Sequence, residues 1–148
     1  MKYFIIFILF WGSSTGVNAN CWELAEYFYK IDGNLLRSIA IVESGMNPQA
    51  RNINPNGTYD IGLMQINSIH LPRLKKMGVT EEMLISNACI SVLIGSSILK
   101  DMINRYGYGW EAIGAYNAGT ARKNASRRMK YARRISLVYQ KQTGKQPW

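Results

Sequence analysis

Leu36, Ile39 and Ala40 recur at helical spacing and form one apolar stripe, and Glu43 continues that stripe, three residues past Ala40 and four past Ile39. A carboxylic acid thus occupies a position where the helix period asks for a hydrophobe. Gly45 is suited to cap this helix, which places Glu43 in its last turn, at the negative end of the helix dipole. Burial removes hydration from the anion and the dipole repels it, so both influences keep the carboxyl protonated to unusually high pH. That is the preparation a general acid requires. The competing expectation for a glutamate at a helix end is a solvated surface charge, and the rest of the chain weighs against it.

The remaining periodicity is also mostly helical. Cys21 to Tyr29 carries apolar positions at Trp22, Ala25, Tyr27 and Phe28, and Asp32-Gly33-Asn34 supplies cap and turn chemistry before the next helix. Asn47 to Tyr59 breaks the pattern: Asn47-Pro48, Asn54-Pro55 and Asn56-Gly57 are turn formers, and Asn56-Gly57 is suited to head a small hairpin around residues 50–60. Thr80-Glu81-Glu82 opens a short helix. The longest helix is expected over Ala88 to Tyr106, with Val92, Ile98, Leu99, Met102 and Ile103 on its buried side, ended by Gly107 and Gly109. Trp110 to Asn117 and Ser126 to Gln140 read as two further helices, and Lys141 to Trp148 as a frayed end. The expected fold class is mainly α (α+β), one helical domain with a short hairpin segment.

Met1-Lys2, the apolar run from Tyr3 to Trp11 and the small-residue site Val17-Asn18-Ala19 read as a secretory signal peptide over residues 1–19, leaving a domain over residues 20–148. The apolar run is short for a bilayer span, and no later stretch is long enough, so no stable membrane span is expected after cleavage. An uncleaved anchor is the alternative. Export implies an oxidising compartment, where Cys21 and Cys89 read as one disulfide rather than two buried thiols. Charge is unevenly placed. Of the 18 Lys plus Arg, nine lie between Arg122 and Lys145, where there is no acid, whereas Asn20 to Thr120 is nearly neutral. A basic tail of this kind suits an anionic polymer or an acidic partner, or is a solvated helix face. No zinc-finger spacing or Gly-rich phosphate loop accompanies it, so nucleic acid is not an expected partner.

The segment Thr58-Tyr59-Asp60-Ile61-Gly62-Leu63-Met64-Gln65-Ile66-Asn67-Ser68 supplies a carboxylate after the turn, a glycine that permits close backbone approach, and a Gln65 amide able to donate to and accept from a polyhydroxylated ligand. Glu43-Ser44, Gly62-Leu63-Met64-Gln65, Ala115-Tyr116-Asn117-Ala118-Gly119 and Tyr131-Ala132-Arg133-Arg134 together resemble the ordered motifs of lytic transglycosylases of the soluble-lytic-transglycosylase type. The resemblance runs from Cys21 to about Tyr139. It is closest to the small members that accompany type III and type IV secretion systems, conjugation machines and type IV pili.

The resemblance implies a lysozyme-like fold, a periplasmic location, peptidoglycan glycan strands as substrate, and a secretion, pilus or conjugation machine as partner. It assigns Glu43 as the single catalytic acid/base. It places Gln65, Tyr116 and Asn117 along the sugar groove, Tyr131 on the glutamate, and Ser44 in holding the substrate or the reacting geometry. Asp60, 17 residues after Glu43, also resembles the second carboxylate of hen-type lysozymes, so it is a candidate stabiliser of an oxocarbenium-like transition state. The implied reaction cleaves the bond between N-acetylmuramic acid and N-acetylglucosamine and closes a 1,6-anhydro ring. A hydrolytic muramidase using Glu43 and Asp60 is the alternative. An alternative of another class is a protein that chiefly binds the wall and a secretion apparatus, with weak catalysis. No metal or organic cofactor is implied. His70, the only histidine, lacks an acid-and-cysteine cluster around it.

Overall fold

The computed structural model describes residues 19–148. The expected leader lies outside the described residues except for its last one, Ala19. Among the described residues, seven α-helices make up most of the length: α1 (Ala19–Tyr29), α2 (Gly33–Ser44), α3 (Leu71–Lys76), α4 (Glu81–Ser86), α5 (Ala88–Tyr106), α6 (Trp110–Ala118) and α7 (Ala125–Thr143). Strands β1 (Arg51–Ile53), β2 (Tyr59–Ile61) and β3 (Ile66–Asn67) form one antiparallel sheet in that order. This is the mainly α, lysozyme-like arrangement expected, with the hairpin where the turn-forming pairs place it.

Helix α2 forms for the local reasons its sequence states. The Asp32 carboxylate accepts the Asn34 amide at 2.7 Å, and Gly45 closes the other end at φ +61° with its N–H on the Ile41 carbonyl at 3.0 Å. Leu35, Leu36, Ile39 and Ala40 are fully buried, and each large aliphatic chain so buried contributes about 1.5–3 kcal/mol. Val92, Ile98 and Leu99 of α5 join the same core, while Met102 and Ile103 are only partly covered. The Cys21–Cys89 disulfide ties α1 to α5 across a sequence separation of 68.

Two glycines allow close approaches that position the site. Gly62 sits at φ +74°, and a Cβ there would lie 2.5 Å from the Leu84 carbonyl oxygen. Gly114 of α6 lets α7 come so near that a Cβ would meet the Arg128 carbonyl oxygen at 2.4 Å.

The frayed end expected from Lys141 onward needs correction. Helix α7 runs on to Thr143 because the Gln142 amide donates to the Ser38 hydroxyl of α2 at 2.7 Å, and Gly144 caps the helix in the left-handed conformation. Tyr139 adds a second tie to α2's cap, its hydroxyl donating to Asp32 at 2.5 Å. Among the described residues, no helix is long and apolar enough to cross a membrane.

Candidate active site

Glu43 lies in the last turn of α2, partly covered, where the apolar stripe brings it against α7. The Tyr131 hydroxyl, buried on α7, donates to Glu43 Oε1 at 2.5 Å. Burial is the largest influence on this carboxyl and raises its pKa above the ordinary value. The bond from Tyr131 opposes that rise, the Asp60 charge adds to it, and Asn117 and Arg134 pull weakly the other way. The net direction is upward, as the helix pattern demanded. Tyr116 and Tyr131 are themselves held well above the usual phenol range, first by burial and then by the Glu43 charge, so both remain hydrogen-bond donors.

A groove of about 750 Å³ opens beside Glu43. Glu43, Asp60, Tyr116, Asn117, Asn124 and Arg127 are among the side chains that line it. Asp60 comes from β2, where the register pairs it with Asn52 on β1 and Asn67 on β3. Asn67 Nδ2 donates to Asp60 Oδ1 at 2.8 Å and Asn54 Nδ2 donates to Oδ2 at 3.0 Å, so each carboxylate oxygen is held by its own amide. The two acids thus differ in surroundings: Glu43 sits in an apolar helix end under one phenol, and Asp60 in a cluster of amides.

The turn from Gly62 to Gln65 is fastened from three helices. Ser44 Oγ of α2 donates to the Leu63 carbonyl at 2.7 Å, the Met64 amide donates to Ser91 Oγ of α5 at 3.1 Å, and the Tyr116 hydroxyl of α6 donates to the Met64 carbonyl at 2.7 Å. Glu43, Asp60, Gln65, Tyr116 and Asn117 line one groove. Ser44 and Tyr131 stand behind its wall. Gln65 also differs from expectation. Held at φ +51°, it turns its amide inward, donating to the carbonyls of Gly62 at 2.9 Å and Ala50 at 3.2 Å and accepting from Asn52 at 2.7 Å. Its donors are engaged within the protein, so it shapes the turn more than it offers hydrogen bonds to a ligand.

Sequence reasoning missed Asn54 and Asn67 around Asp60, and Asn124 and Arg127 in the groove. Strand alternation through the hairpin was the available signal for the first two. His70 also lines the groove, and burial followed by the Arg73 charge lowers its pKa. Among the described residues, no group of three or more His, Cys, Asp or Glu side chains is placed to hold a metal.

A small, mostly helical domain with a three-stranded sheet and a partly buried carboxyl at the edge of a groove has the arrangement of the lysozyme-like class of glycan-cleaving enzymes. Within that class the chain belongs to the transglycosylase SLT family, whose domain model matches residues 20–138, and it is a lytic transglycosylase of the SLT type. It is 49% identical to the invasion protein IagB of Salmonella typhimurium, over 97% of this chain and 90% of that one. It is 47% identical to protein IpgF of Shigella flexneri, over 94% of this chain and 91% of that one. Among solved structures it resembles an inactive mutant of the lytic transglycosylase Slt from Pseudomonas aeruginosa, with a TM-score of 0.65 and 17% identity, over 88% of this chain and 25% of that one. At that identity the likeness speaks for the fold alone.

Proposed function

We propose that the protein cleaves the β-1,4 bond between N-acetylmuramic acid and N-acetylglucosamine in peptidoglycan with Glu43 as its single acid/base, releasing a 1,6-anhydromuramyl end. Protonated Glu43 gives its proton to the glycosidic oxygen as the bond to the muramyl anomeric carbon breaks. Glu43, now a carboxylate, takes the proton of the muramyl C6 hydroxyl, whose oxygen bonds to the anomeric carbon. No water is consumed, and Glu43 ends protonated. Tyr131 donates to the carboxylate during the interval in which it carries charge, and Asp60 stabilises the positive charge that develops on the sugar ring. The observation that carries this reading is the partly buried Glu43 carboxyl, raised in pKa, at a groove large enough for a glycan.

A hydrolytic reading is favoured by one specific feature, the Asp60 carboxylate fixed in the same groove by Asn54 and Asn67. If it directs water to the anomeric carbon, the product is a reducing sugar. Digestion of purified sacculi decides between the two, because the anhydro product is lighter by one water. Loss of lysis in Glu43→Gln is expected, on the order of a hundredfold to ten-thousandfold. Near-normal lysis by that variant would overturn the assignment.

The setting follows from the same reading. The N-terminal residues act as an export signal, the domain works on the wall in the periplasm, and local wall opening serves a secretion, pilus or conjugation apparatus. The similarity to a protein named for invasion supports that setting.

A further inference from the structure

The exposed face of α7 carries charge that the proposed chemistry does not use. Helix α7 turns Arg128, Tyr131, Ala132, Ile135 and Tyr139 inward. Lys123, Arg127, Lys130 and Arg134 recur at intervals of four, three and four residues, which align them on an exposed side of the helix and the turn that precedes it. None of them forms an ion pair: the salt bridges among the described residues are Arg51–Glu81 and Arg73–Asp101. The row also enters the groove, since Arg127 is one of its lining residues and the one arginine or lysine among them. A glycan of N-acetylated sugars is neutral wherever its muramyl lactyl group is amide-linked to a peptide, so the sugar gives Arg127 no charge to meet. The carboxylates of that polymer lie on the stem peptides that branch from it.

Resting on the peptidoglycan reading, we propose that Lys123, Arg127, Lys130 and Arg134 form a binding strip for the carboxylates of a stem peptide whose muramyl residue occupies the groove. The dimensions agree. The eleven residue steps from Lys123 to Arg134, taken at the helical rise, span about 16 Å, and an extended peptide of about five residues spans at most about 18 Å. Arg127 lines the groove, and Lys123, Lys130 and Arg134 flank it on the same exposed side. The strip selects glycan that still bears its peptides and lowers its KM, with the effect screened by salt because the charges are exposed.

The test compares soluble glycan strands bearing stem peptides with the same strands after carbodiimide coupling has converted the peptide carboxylates to neutral amides, and with strands stripped of peptide by an amidase, which keep only the lactyl carboxylate. The wild-type protein is expected to show a KM about tenfold lower on the native strands than on either of the others, with kcat little changed. The preference should collapse as salt rises from about 20 mM to about 300 mM. In an Arg127→Gln, Lys130→Gln variant the preference ratio should fall to about threefold or less, and because each protein is compared with itself, partial unfolding does not mimic that result. A wild-type protein that treats native and neutralised strands alike, a variant that keeps the full ratio, or an equal preference for the stripped strands would overturn the proposal. If no strand is cleaved, the peptidoglycan-cleavage reading fails. Cosedimentation with native and carboxyl-neutralised sacculi then still decides whether the strip reads carboxylates.

Discussion

Tyr131→Phe isolates one hydrogen bond, because phenylalanine fills the same buried space and only the hydroxyl on Glu43 is lost. That hydroxyl lies 2.5 Å from Glu43 Oε1, a short contact to a group that becomes anionic during turnover. Hydrogen bonds to charged groups contribute about 1.5–3 kcal/mol. If the whole of that is felt when Glu43 has given up its proton, turnover slows by roughly tenfold to a hundred-and-fiftyfold. The loss belongs in kcat, since Tyr131 stands behind the groove and does not line it. The pH profile gives a second readout. Glu43 must be protonated to act as an acid, so its pKa sets the alkaline limb, and the Tyr131 bond holds that pKa down. Removing the bond moves the alkaline limb to higher pH even as the maximal rate falls. Initial rates of soluble muropeptide release from sacculi across the pH range measure both. A variant within twofold of wild type, or an alkaline limb that moves to lower pH, would refute the role given to this phenol.

Glu43→Gln should lose activity yet gain stability near neutral pH, visible as a Tm higher by a few degrees. The sign follows from linkage: with its folded-state pKa raised above the ordinary 4.5, Glu43 is at no disadvantage below the unfolded-state value, and the protein loses stability as pH rises through the folded-state value. The Tm difference should therefore vanish at about pH 4 or below, as thermal scans along a pH series would show. Replacing Cys21 and Cys89 together by serine should lower unfolding stability by about 4 kcal/mol on the chain-entropy account, read from urea midpoints. Gly62→Ala meets both a positive φ and the Leu84 carbonyl, so a loss of at least about 2 kcal/mol is expected in the same assay, with reduced lysis because the turn beside Glu43 shifts.

What the sequence discloses here is what depends on near neighbours. Helix α2, its Asp32 and Gly45 caps and the covered position of Glu43 follow from spacing within a dozen residues, and α5 could be read end to end for the same reason. The surroundings of Asp60 depend instead on strand register. A two-residue Asn56-Gly57 turn would pair Ile53 with Asp60, whereas the hairpin closes over Pro55-Asn56-Gly57 and pairs Ile53 with Tyr59. That one-residue difference places Asn52 opposite Asp60, and a slip of register exchanges the faces of a strand. Helix α3 was hidden because its six residues are too few to show a period, and the last turn of α7 because a bond to Ser38, distant in the chain, holds it.

The four motifs are intelligible as one contact rather than four sites. Ser44 of the first grips the Leu63 carbonyl of the second; Tyr116 of the third grips the Met64 carbonyl of the second; Tyr131 of the fourth returns to Glu43 of the first. The Gly62–Gln65 turn, with its two positive-φ residues and its inward amide, is the piece the others hold. Ser44, Gln65, Tyr116 and Tyr131 thus each spend a polar group on a contact within the protein, two of them from the groove lining and two from behind it. A turn whose consecutive carbonyls are each tied to a different helix cannot shift without moving both ties, and a partly buried acid needs that rigidity: burial raises its pKa and the single phenol holds the rise in check only while both keep their places.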